Sequence, residues 1–132
     1  MRDGMAKDQK EWFLQSEYDY ESAQAMFQAG KYIYSVFMCH LSIEKYLKGI
    51  YRINQNVEPP RVHSLVFLVE VNKISVPEKF KNFLLEIDDA AVSTRYPDSL
   101  ILLANEFEIS VAHEIMLKTK EFMEWLKNEY QK

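Results

Sequence analysis

The stretch Val36-Phe37-Met38-Cys39-His40-Leu41-Ser42-Ile43-Glu44-Lys45-Tyr46-Leu47-Lys48-Gly49 decides the fold. At about 100° per residue, Ile33, Val36, Phe37, His40, Ile43, Leu47 and Tyr51 share one helical face. His40 sits near the middle of that face, and Glu44, one turn on, falls in the same arc between Phe37 and Ile33. An imidazole and a carboxylate turned toward a core need partners, because a buried charge is costly unless it is paired or neutralised. The helix therefore carries either a structural polar network or a site.

Upstream, Trp12, Ser16, Asp19, Ala23 and Met26 recur at spacings of four and three, which predicts a helix from about Asp8 to Gln28. Asp19 is a second acid on an apolar face, and Gly30 reads as the C-cap. The next helix is expected from Tyr32 to Asn54. The short link makes the two an antiparallel hairpin. Pro59-Pro60 breaks the chain. Residues 63–72 hold Leu65-Val66-Phe67-Leu68-Val69, which suits a strand as well as a helix. Pro77 fits the first turn of a further helix, with Phe80, Phe83, Leu84, Ile87 and Ala91 as its apolar stripe. Ser93 to Asn105 reads as a connection, with a helical turn around Leu100 to Leu103. Asn105 and Glu108 have the spacing of a capping box for a last helix bearing Val111, Ala112, Ile115, Thr119, Phe122, Met123 and Leu126 on one face. The expectation is an all-α, antiparallel, up-and-down four-helix bundle, with residues 1–132 as a single domain.

Composition narrows the functions. Hydrophobic residues make up 48% and aromatics 14% of the 132 residues, enough for a core, and only three Gly argue against a turn-rich β protein. A formal net charge of −4 leaves no basic surplus for long nucleic acid. Cys39 alone can form neither an intrachain disulfide nor a cysteine-based zinc site, which suits a reducing compartment. Residues 1–10 lack the apolar run of a signal peptide, and no stretch is long enough to span a bilayer. A cytoplasmic protein without a membrane partner is expected.

The ligand patterns are equally selective. The residues three before His40, His63 and His113 are Phe37, Pro60 and Ser110, so the Glu-x-x-His pairs of di-iron bundles are missing. His113-Glu114 is followed by Leu117 where a zinc helix needs its second histidine. No metal is expected. Neither a Gly-rich phosphate loop nor a Gly-x-Ser-x-Gly elbow occurs. Cys39 and His40 point about 100° apart on a helix and form no dyad. His40, Glu44 and Lys48 form a ladder at i, i+4 and i+8. It reads as a polar network that Asp19 could join across the hairpin, or as the lining of a ligand site. Arg95 lies in the loop Thr94-Arg95-Tyr96-Pro97-Asp98. Its planar fork suits carboxylate or phosphate: either a salt bridge to Glu44, Asp88 or Asp98, or an anion clamp facing Lys48 and His63.

These elements in this order resemble a known family. Trp12, Asp19 and Ala23 are followed by Gly30-Lys31-Tyr32, then His40-Leu41-Ser42-Ile43-Glu44-Lys45-Tyr46-Leu47-Lys48. Pro59-Pro60, His63-Ser64-Leu65 and Arg95-Tyr96-Pro97-Asp98 come after. Together they are similar to the HEPN domain (higher eukaryotes and prokaryotes nucleotide-binding). The resemblance implies four long helices with a short extra helix, resolving residues 63–72 as helix. It also implies a homodimer and a small nucleotidyltransferase as partner, in a toxin–antitoxin-like pair. The ligand it implies is a nucleotide such as ATP, or a nucleotide-bearing substrate, with no other cofactor. Glu44, Lys45, Lys48, His63, Arg95, Tyr96 and Asp98 are the expected ligand-binding residues, with Lys48 and Arg95 on phosphate.

One departure is decisive. Ribonuclease members carry an arginine followed, after four to six residues, by a histidine. From Arg95 that position is Leu100, Ile101 or Leu102, and no other arginine here fits. No catalytic residue is therefore carried over. The alternatives are a degenerate ribonuclease toxin in which His63 replaces the missing histidine, and a purely structural adaptor dimer.

Overall fold

A computed structural model describes residues 7–130. Six helices are described: α1 (Gln9–Gln28), α2 (Tyr32–Gln55), α3 (Leu65–Val71), α4 (Glu78–Arg95), α5 (Leu100–Glu106) and α6 (Ile109–Tyr130). No strand occurs among the described residues. Within residues 63–72, Leu65–Val71 thus form a helix, and Ser64 supplies its N-cap, its hydroxyl accepting from the Phe67 amide at 3.1 Å.

Local chemistry sets the helix ends. Asp8 caps α1 by accepting from the Glu11 amide. Gly30 ends that helix with φ of 78°. Its amide donates to Phe27 and that of Lys31 to Met26, a Schellman closure. Asn56 takes the left-handed conformation after α2, which its short polar side chain tolerates. α3 closes in the same way as α1, through Lys73 and Ile74, but with Lys73 at φ of 56° where glycine is usual.

The four long helices run alternately up and down. His40 meets Asp88, and Phe37 meets Arg95, so α2 and α4 are antiparallel. Phe80 meets Phe122 edge to face, while residues 86–93 lie beside 107–115, so α4 and α6 are antiparallel too. Phe27 beside His113 pairs the end of α1 with the start of α6. α2 is the central element, touching α1, α3, α4, α5 and α6. Its middle is therefore buried nearly all round, from Ser42 to Ile50 except for Lys45, rather than along one stripe. Gly49 is where α1 crosses it: a Cβ there would come within 2.6 Å of the Phe13 ring.

Two local expectations are corrected. α4 continues through Thr94, whose hydroxyl donates to Ala90, and Arg95 is its last residue rather than part of a loop. It stops there because Tyr96 precedes Pro97, which disfavours helical backbone. Asn105 lies inside α5, and α6 begins only at Ile109, so Asn105 and Glu108 form no capping box. Ser99 caps α5 instead.

Candidate functional site

The polar face of α2 is buried as its register requires. His40 is 1% and Glu44 3% exposed. The two do not share a hydrogen bond: His40 Nδ1 stands 3.8 Å from Glu44 Oε1, and neither atom has another hydrogen-bond partner among the described residues. The partner of His40 comes from α4. Its Nε2 donates to Asp88 Oδ1 at 2.9 Å. Glu44 uses its other oxygen, accepting from Lys48 Nζ and from His63 Nδ1, both at 3.0 Å.

Asp88 ties three elements together. Besides His40 it accepts from the Leu65 amide at 2.8 Å, the Val66 amide at 3.2 Å and the Ser64 hydroxyl at 3.2 Å. Free amides at a helix start favour a carboxylate. Burial, the largest single effect, pushes the Asp88 carboxyl up. The hydrogen bond from His40 and those from the two amides together outweigh it, and the group is held below its ordinary 3.8. α3 is thus docked through a charge on α4, itself fixed by a histidine on α2.

Above this network a cleft of about 440 Å³ opens. His40, Asp88 and Ser64 line its inner part. His63, Arg95 and Tyr96 stand around it, with Asp89, Ala91 and Val92 completing the wall. The Arg95 guanidinium lies 5.2 Å from the centre of the Phe37 ring, a cation–π contact. No carboxylate pairs with it among the described residues, so the salt bridges to Glu44, Asp88 or Asp98 do not form. Tyr96 is 81% exposed.

The expected residues thus divide. His63, Arg95 and Tyr96 meet at the cleft. Glu44 and Lys48 lie beneath, reaching it only through His63, so Glu44 does not orient Arg95. Lys45 leaves the group, pairing with Asp19 at 2.9 Å across the α1–α2 hairpin. Asp19 accordingly stands apart from the His40 network. Asp98 is exposed and does not line the cleft. Met38 packs against the core, whereas Tyr34 is exposed. Asp88 is the residue that sequence reasoning missed as the partner of His40. It lies one turn before the end of the α4 stripe, and nothing in a 48-residue separation marks the pairing.

Among the described residues, no group of three or more His, Cys, Asp or Glu could hold a metal ion. No helix there is long and apolar enough to cross a membrane. The crystal structure of TT1696 from Thermus thermophilus superposes with a TM-score of 0.60. The match has 23% identity and covers 86% of this chain and 96% of that one, a likeness of fold. No curated protein matches the chain. The family model described as HEPN domain matches residues 9–129, nearly the whole bundle, and the chain therefore belongs to the HEPN domain family.

Proposed function

We propose that this protein binds a nucleotide, or a nucleotide-bearing substrate, in the cleft between α2, α3 and α4. The family supports nucleotide binding or ribonuclease-like chemistry as the general class. The observation that carries the narrower reading is Arg95: an arginine with no carboxylate partner among the described residues, beside a largely open tyrosine ring, at a cleft of ligand size. Arg95 takes phosphate through its planar fork, His63 adds a second donor, and Tyr96 offers a face for a base to stack on. Lys48 acts from below by neutralising Glu44. On this reading the protein is a non-catalytic cytoplasmic homodimer, the partner of a small nucleotidyltransferase in a toxin–antitoxin-like pair.

Calorimetric titration with ATP and the other nucleoside triphosphates, with and without magnesium, tests it. Saturable binding that Arg95→Ala weakens at least tenfold, with the helical signal retained, is the expected outcome. Unchanged affinity in that variant ends the clamp.

A second reading has one observation in its favour. His63 shares the cleft with Arg95, and its Nδ1 is held by Glu44, the way a carboxylate orients a general base. Slow cleavage of RNA, lost in both His63→Ala and Arg95→Ala, would mark a degenerate ribonuclease. Absence of cleavage by the wild-type chain disposes of it.

A further inference from the structure

A second cavity, of about 390 Å³, lies across the bundle between α1 and α6. It shares no lining residue with the cleft above. On α1, Phe13, Glu17 and Tyr20 form one wall, with Ser16 between them. On α6, Lys120, Met123, Glu124 and Lys127 form the other. Both sets repeat at i, i+3, i+4 and i+7, so each is a single face of its helix. Glu17, Lys120, Glu124 and Lys127 are exposed at the rim of the cavity, and among the described residues none of the four is in an ion pair. Tyr46 of α2 closes the inner side, its ring 4.7 Å from that of Phe13. Phe13 can lie there because Gly49 leaves the room.

We propose that this cavity binds a small zwitterion with an apolar side chain: an α-amino acid of the aromatic or thioether class. The cavity is of small-ligand size. Its interior offers Phe13, Tyr46 and Met123 to an apolar group. Its two carboxylates suit an ammonium, and the aromatic rings beside them favour the same charge. Its two lysines suit a carboxylate. A ligand of one sign would meet repulsion from one pair, so a nucleotide phosphate is disfavoured by Glu17 and Glu124. A ligand carrying both signs satisfies both pairs at once. Tyr20 stays neutral beside the ligand: burial first, then the proximity of Cys39 and Glu124, raises its phenol.

The test titrates the full chain calorimetrically with L-phenylalanine and L-methionine, then with phenethylamine and 3-phenylpropionate, which each lack one charge. Saturable binding of at least one amino acid is expected, with each truncated analogue about tenfold weaker or worse. Glu17→Gln and Lys120→Gln, both surface changes, should each weaken the amino acid by a similar factor. Arg95→Ala should leave it unchanged, which separates this site from the nucleotide cleft. Binding of neither amino acid overturns the proposal. So does an amine or an acid that binds as tightly as the zwitterion, a result that needs no variant to fold.

Discussion

Asp88 shows how one side chain can set the position of a whole element. It receives hydrogen bonds from an imidazole, two amides and a hydroxyl. Bonds to a charged group are worth about 1.5–3 kcal/mol each when a partner is lost from a buried setting. Asp88→Asn should therefore cost about 2 kcal/mol at pH 7, measurable by urea unfolding. The pH dependence follows from the direction of the shift. A carboxyl held below its ordinary value stabilises the folded state above that value, and the benefit is lost as pH falls through the folded one. The gap between wild type and Asp88→Asn should accordingly narrow below about pH 4. A gap that stays constant down to about pH 2 would place the effect elsewhere. The sequence marks His40 and Glu44 as needing partners, because their register puts them inside a helix face. It does not mark Asp88 as the answer, since partners across a bundle carry no local pattern. Lys45 shows the reverse error. It adjoins Glu44 in sequence, but the turn of the helix aims it at Asp19 instead.

Among the elements, α3 is the shortest α-helix together with α5, and it is held at both ends by devices of different quality. Its start has Ser64 and Asp88. Its end has Lys73 in a left-handed conformation, which costs a side-chain-bearing residue about 1 kcal/mol relative to glycine. Lys73→Gly should raise stability by about 0.5–1 kcal/mol, seen as a higher urea midpoint with an unchanged slope. No gain would mean that the lysine side chain compensates through contacts of its own. Long elements are the legible ones. Amphipathic periodicity locates α1, α4 and α6, each of which buries one face, and the apolar arc of α2 marks that helix although its middle is buried nearly all round. The ends are less so. The pattern Thr-Arg-Tyr-Pro-Asp reads as a loop because its proline dominates it, yet proline acts only on the residue just before it, and Arg95 stays helical. Asn105 and Glu108 mimic a cap because spacing alone does not reveal that Asn105 already belongs to the preceding helix.

On the scale of the whole molecule, the surface is uneven. Val92, Tyr96, Leu100, Ile101 and Leu102 are each at least 67% exposed, along the last turns of α4 and on α5. Three consecutive exposed apolar residues on one short helix are unusual for a monomer. If the proposed homodimer forms here, the interface covers the rim of the proposed nucleotide cleft, since Val92 and Tyr96 belong to both. Ile101→Glu should then convert a sedimenting dimer to a monomer and weaken nucleotide binding together. A wild-type chain that sediments as a monomer at micromolar concentration would remove the dimer from the reading.

Cys39 lies wholly inside this bundle, 3.4 Å from the Met116 sulfur. Burial pushes its thiol up to about 12, outweighing the opposing contribution of Thr119. Alkylating reagents attack the thiolate, and they need access to it. In the folded chain both are denied, so the rate of modification becomes a clock for opening of the core. Because the sequence has no other cysteine, that clock has a single hand. A mass shift of one adduct, timed with and without nucleotide or amino acid, would report ligand binding as a slowing of the opening, with no label to install.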